Sequence, residues 1–251
     1  MTEFSRPLNS VARTAGRAAL LACTILAFSG CATQQNANPR DPLEPLNRGV
    51  FAFNDIADRA LLKPAAIVYR DVTPVLVRTG VTNFFGNIED AWSFVNSLLQ
   101  AKGQPAARNF MRVAVNTVFG IGGVLDVASE MRIDRQREDF GQTLGWWGIP
   151  SGPYLVIPLL GPSTIRDTLA LPVDFKGDLA SSISHISTRN GVKFLDLLDT
   201  RTGLLSVTSA LDEVAFDKYS FTRDAFLQRR ANAVFDGDPP EEGAVGGRIA
   251  R

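Results

Sequence analysis

The stretch DPLEPLNRGVFAFNDIADRALLKP, residues 41–64, sets the reading of the chain. Leu46, Val50, Phe53, Ala57 and Leu61 recur at i, i+4, i+7, i+11 and i+15, which places them on one helical face. Pro45 suits a first-turn position, where its missing N–H costs nothing, and Pro64 is expected to end the segment. The same periodicity returns downstream. Asn87 with Asp90 resembles a capping arrangement ahead of Ile88, Trp92, Val95 and Leu99. Phe110, Val113, Thr117 and Val118 form a third stripe, stopped by Gly120. Thr164 and Asp167 are placed to cap a helix after Pro162, and residues 194–211 and 221–234 read as further helices. Residues 141–161, with five glycines and three prolines, read as irregular or short-stranded. The fold class is mainly α, a single helical domain over residues 41–236 with Gly/Pro-rich connections.

An apolar helical face is usually a core face. Here several faces are aromatic: Phe51 and Phe53; Phe84, Phe85 and Trp92; Trp146, Trp147 and Tyr154. Aromatic side chains with one polar end favour the headgroup level of a bilayer, so amphipathic helices lying in a membrane interface are the competing reading.

The N-terminus favours that reading. Residues 1–30 have the form of a secretory signal: Arg6, Arg13 and Arg17 precede an uncharged, mostly apolar run over residues 18–28. The run is far short of the roughly 18–20 apolar residues that span a bilayer. Ser29 and Gly30 then precede Cys31, an arrangement that resembles a bacterial lipoprotein box whose cysteine is acylated. Phe28 departs from the usual leucine. Cys23 follows better box letters, Leu20-Leu21-Ala22, but only five residues after Arg17. An ordinary cleaved signal with an incidental cysteine is the third possibility. Residues 31–40 are then a lipidated polar tether, and residues 237–251, rich in Gly, Pro and charge, a disordered tail. Ala32 follows Cys31; the aspartate that holds such lipoproteins at the inner membrane is absent, which points to the outer membrane.

Removing 30 of 251 residues leaves 221. The leader takes three arginines and one glutamate, so 23 basic face 25 acidic residues, a net charge of −2. No basic block suggests nucleic acid. With both cysteines acylated or lost on maturation, neither a disulfide nor a cysteine metal site is expected. The most apolar mature window, residues 113–128, is interrupted by Asn116, Gly120, Gly122, Gly123 and Asp126.

Catalytic chemistry is sparse. His185 is the only histidine, so any Ser-His-acid triad would have to use it; it sits in a serine-rich stretch that reads as surface. Residues 148–152 hold a serine between glycines at the wrong spacing for a nucleophile elbow. Glu138 and Asp139 fall in a charged run that reads as a solvated loop. No metal or cofactor is expected, and the chain reads as a non-enzyme.

The residues from Asp41 to Arg48, followed by Phe51, Phe53 and Asn54, resemble the opening of MlaA (VacJ) family lipoproteins. Further matches follow in order: Asn83-Phe84 with Gly86-Asn87; Arg112 and Asn116-Thr117 leading to Gly120-Ile121-Gly122-Gly123 and Asp126; the run from Asp139 to Gly145; Gly152-Pro153-Tyr154 with Pro158 and Gly161; Arg166-Asp167; Tyr219, Arg223-Asp224 and Gln228-Arg229-Arg230. The resemblance implies a ring-like helical domain in the inner leaflet of the outer membrane, facing the periplasm, with an amphipathic channel. It implies removal of phospholipid strayed into the outer leaflet and delivery to a soluble periplasmic carrier, with a porin trimer as membrane partner. Phe51, Phe53, Asn54 and Phe84 are the candidates for the lipid path or membrane seating, and Gly120, Gly122 and Gly123 for a flexible element beside it. A structural porin-associated lipoprotein and a phospholipase are the competing functions.

Overall fold

The computed structural model describes residues 38–239; the signal, Cys31 and residues 240–251 lie outside the described residues. Helix α1 (Glu44–Ala57) starts with Glu44 and Pro45 in its first turn. Its buried residue is not one of the apolar stripe but Asn47. Asn47 Nδ2 donates to Asp41 Oδ1 (2.8 Å) and to the Tyr154 carbonyl (3.0 Å), and its Oδ1 accepts from Val156 N (2.9 Å). Two turns on, Asn54 donates to the Ile157 carbonyl (3.0 Å) and accepts from Leu159 N (2.8 Å). The spacing i, i+7 puts both amides on one helical face, where they replace the backbone partners that the hairpin beside them lacks.

Pro64 does not end this helix. The chain passes through one π turn, Asp58–Leu62, and continues as α2 (Lys63–Val72) with Pro64 in its first turn. A proline inside an α-helix clashes with the carbonyl four residues back. The π turn shifts the bonding, with Lys63 N reaching the Asp58 carbonyl, so the proline is tolerated.

Helix α3 (Val75–Leu99) runs unbroken through Asn87 and Asp90, which are therefore not caps. Both are buried mid-helix and face α4 (Gly103–Val118): Asn87 Nδ2 donates to Thr117 Oγ1 (3.1 Å), and Asp90 pairs with Arg112 (2.9 Å). Polar residues that look like capping signals instead cross-link two antiparallel helices.

Short α5 (Val127–Glu130) and α6 (Phe140–Trp146) are capped by Asp126 and Asp139. Residues 141–161 hold α6 and then the first strand of a small hairpin, β1 (Tyr154–Ile157) paired antiparallel with β2 (Gly161–Thr164). Thr164 caps α7 (Ile165–Gly177), accepting from Asp167 N at 3.2 Å. A 3₁₀ turn (Leu179–Ser182) leads to α8 (Ile186–Gly203). The stretch expected to be helical over residues 194–211 breaks at Leu204, whose N–H takes the tighter bond to Arg201 O (3.2 Å) after Gly203. Helices α9 (Leu205–Val214) and α10 (Lys218–Val234) are the last among the described residues.

Packing closes a circuit. The α2 helix lies on α8, α8 on α3, α3 on α6, α6 on α7, α7 on β2, and β1 on α1. Among the described residues an apolar cluster, Tyr154, Val156 and Tyr219 with Val50, Phe51, Phe226 and Leu227 around it, sits where hairpin, α1 and α10 meet. Elsewhere the polarity of the fold is inverted. Among the described residues, buried polar and charged side chains outnumber buried apolar ones, and the largest fully buried side chain is Arg112. Meanwhile Leu61, Val72, Leu76, Val118, Phe119, Ile121, Leu159 and Leu169 are each at least 70 % exposed. No helix among the described residues is long and apolar enough to cross a membrane.

Candidate functional site

A recess of about 310 Å³ opens between α3, residues 137–142, the end of α7 and α8. Its α3 wall is apolar: Phe85, Ile88 and Trp92, one and two turns apart. The opposite wall is acidic, with Asp174, Asp178 and Asp196 joined by Glu89 at the α3 edge. The two walls are locked together. Trp92 Nε1 donates to Asp174 Oδ1 (2.8 Å), which also accepts from Phe140 N (2.8 Å). The Trp92 ring lies so close to Gly177 that a β-carbon there would stand 2.4 Å from it. Burial raises the Asp174 carboxyl above its ordinary value despite these two donors.

Glu138 and Asp139 are not a solvated loop pair. Glu138 is buried and accepts from Gln100 Nε2 (2.9 Å) and Lys102 Nζ (3.2 Å); burial outweighs both and raises its carboxyl. Burial also pushes Asp139 up, but Arg230, whose Nη2 donates at 2.7 Å, together with the hydrogen bonds from Gln142 more than offsets it and holds it low. Arg230 also donates to Asp167 through Nε (2.8 Å), tying α10 to the caps of α6 and α7. A charged run in sequence is usually solvent-facing; here Glu138 and Asp139 find their counter-charges in Lys102, just before α4, and Arg230 of α10.

The candidate lipid-path residues fall into two groups. Phe51, Phe53 and Asn54 lie by the hairpin. Phe51 packs edge-on against Tyr219 (5.6 Å between ring centres), and Asn54 clamps the hairpin turn. Phe53 is half exposed and lines a second, mostly apolar recess of about 400 Å³ with Pro45, Leu46, Gly49, Val50 and Pro158. Phe84 belongs with the glycine loop on α3. Its ring stacks edge-on against Phe85 at 5.4 Å, while neighbouring Asn83 donates to the Val124 carbonyl (3.1 Å). In that loop a β-carbon on Gly120 would stand 2.1 Å from the Leu125 carbonyl oxygen, and one on Gly123, at φ +95°, would strike Asn87. Gly122, at φ +68°, has open space around it.

Residues 39–233 match the MlaA lipoprotein family. The chain belongs to this family. Proteins from Shigella flexneri and Escherichia coli, each named intermembrane phospholipid transport system lipoprotein MlaA, are 32% identical over 225 residues, covering 85% of this chain and 86% of theirs. A solved structure described as the structural basis for maintenance of bacterial outer membrane lipid asymmetry superposes with a TM-score of 0.68. It is 32% identical and covers 77% of this chain and 98% of that one. Among the described residues the chain is thus a helical domain with one small hairpin, in a fold that matches that structure.

Residues absent from the candidate set define this family member's recess: Trp92, Asp174 and Asp196. Trp92 carries a visible signal, the apolar i, i+4 spacing with Ile88. The aspartates carry none, because only the tertiary fold gathers them. Asp196 is raised to about 6, first by burial and then by Glu89, Asp178 and Asp199 nearby. The folded chain therefore keeps a proton that the unfolded chain has released between pH 4 and 6, so stability is highest below that window and falls as pH rises through it. Asp196→Asn is expected to raise stability at pH 7 by about 1 kcal/mol, after solvent screening at a half-buried site, or about 3 °C in Tm. Melting curves of both proteins at pH 4 and pH 7 check this; an equal gain at both values would contradict it.

Proposed function

We propose that this chain is an outer-membrane lipoprotein, held in the inner leaflet by acylated Cys31, that removes mislocalised phospholipid from the outer leaflet and passes it to a soluble periplasmic carrier. A porin trimer is its membrane partner in this reading. The observation that carries it is the inverted polarity: an apolar exterior around a polar, amphipathic interior, in a chain whose relatives are named for phospholipid transport. A bilayer rewards apolar surface outside. A phospholipid in passage needs an apolar wall for its acyl chains and a polar one for its headgroup, which the Phe85–Trp92 face and the acidic face supply. Phe53 and Phe84, half exposed on separate helices, set the seating depth, and the loop around Gly122 is the flexible element.

The phospholipase reading finds little to work with. The His185 ring caps α8, with Nδ1 3.1 Å from Thr188 Oγ1 at an exposed position. A porin-associated scaffold predicts an exterior like this one but gives the recess no task. The test is a photo-crosslinking residue at Ile88, in the recess, compared with one at Arg108, on α4 and not part of the recess lining. Irradiation in membranes should attach phospholipid at position 88 far more than at 108. Equal or absent labelling at 88 would reject passage through the recess.

A further inference from the structure

We propose that the acidic wall of the recess receives the ammonium group of a zwitterionic phospholipid headgroup, so that ammonium-bearing lipid is favoured over purely anionic lipid. This rests on the transport reading above and names its substrate class. The recess presents hydrogen-bond acceptors and aromatic faces. Glu89, Asp178 and Asp196 line it, and the basic groups at its rim are already engaged: Arg137 with Glu89 at 3.2 Å and Lys193 with Asp178 at 3.7 Å. Gln142, 4 % exposed, adds an independent acceptor. Its Nε2 donates to the Arg137 carbonyl (3.3 Å) and Asp139 Oδ2 (3.1 Å), so in this recess-lining residue the buried Oε1 is left without a partner. An ammonium group has donors and no acceptor, and it is attracted to the faces of rings such as Trp92 and Phe85. A phosphate without it would meet Glu89, Asp174, Asp178 and Asp196, with Arg137 already paired to Glu89.

The acidic groups are spread around the recess rather than converging. Among the described residues no three His, Cys, Asp or Glu side chains are placed to hold a metal ion. A bulky organic cation suits that spacing. The raised carboxyl of Asp196, caused by burial first and by Glu89, Asp178 and Asp199 next, marks an excess of negative charge that a cation would relieve.

The experiment uses the full lipidated chain in detergent, incubated with equimolar phosphatidylethanolamine and phosphatidylglycerol, with co-purifying lipid measured by mass spectrometry. Phosphatidylethanolamine should be enriched on the order of tenfold. The double variant Glu89→Gln/Asp196→Asn should bring the two lipids close to parity with total bound lipid retained. Its melting temperature, at or above that of the parent, verifies folding. Parity in the parent, or an unchanged ratio in the variant, would overturn headgroup selection while leaving transport intact. Absence of both lipids from the parent would instead overturn the transport reading, and headgroup selection with it.

Discussion

Replacing Arg112 with Met is expected to destabilise the domain by about 3–5 kcal/mol, the range for breaking a buried ion pair from one side. The guanidinium is 1 % exposed. Its Nε donates to Asp90 Oδ2 (2.9 Å), Nη2 to both Asp126 oxygens (2.9 Å each), and Nη1 to the Ile133 carbonyl (2.6 Å) and Ser129 Oγ (3.1 Å). One side chain thus joins α3, α4, the cap of α5 and the glycine loop that ends at Asp126. Asp126 shows the opposing effects: burial raises its carboxyl, but Ser129, Asn116 and Arg112 together bring it down to about 2. Asp90 already sits above its ordinary value, because burial there outweighs Arg135 and Arg112. Without Arg112 both carboxyls gain from protonation, so the variant should recover part of its loss between pH 7 and pH 5. Urea unfolding at both values measures this. Arg108→Met, which breaks only an exposed pair 4.0 Å from Asp134, serves as the control and should change stability by less than about 1 kcal/mol.

The second large effect is on membrane attachment rather than folding. The elbow between α2 and α3 exposes Val68, Val72, Val75, Leu76 and Val77, with Val72 at 76 % and Leu76 at 82 %. Five apolar side chains at one exposed bend are costly in water, and at about 1.5–3 kcal/mol per fully buried side chain they are enough to hold a domain in an interface. A Cys31→Ser chain, which lacks the acyl anchor, should still float weakly with phospholipid vesicles. Adding Val72→Glu/Leu76→Glu should reduce that partition on the order of tenfold or more. Because neither side chain is buried, the melting temperature should stay within a few degrees. Unchanged flotation would show that the elbow does not meet the membrane.

These two variants also mark where sequence reading stops. Helical period does not depend on which face is buried, so the stripes at Leu46, Val50 and Phe53 and at Ile88 and Trp92 are legible from spacing alone. The direction of each face is not, because the usual rule turns apolar residues inward. Here Asn47 points in, while Leu46, Phe53 and Leu61 stay 52 %, 53 % and 74 % exposed. The same inversion explains Asn87 and Asp90, whose polarity suggests a helix start but whose partners, Thr117 and Arg112, lie on the next helix. It also explains Glu138 and Asp139, whose counter-charges Lys102 and Arg230 are distant in sequence. Pro64 fails as a stop signal because a π turn absorbs it. Local caps at Thr164 and Asp167 were readable because they involve only residues three apart. The recess was not, since its acidic wall is assembled from α3, α7 and α8.

The proposed role requires phospholipid to leave the outer leaflet through this protein. Its most direct test is the amount of labelled phospholipid at the cell surface in strains with the gene, without it, and with the gene restored. Surface phospholipid should rise on deletion and return to the parental level on restoration. A level that stays the same in all three strains would contradict removal of outer-leaflet phospholipid and leave only a structural role.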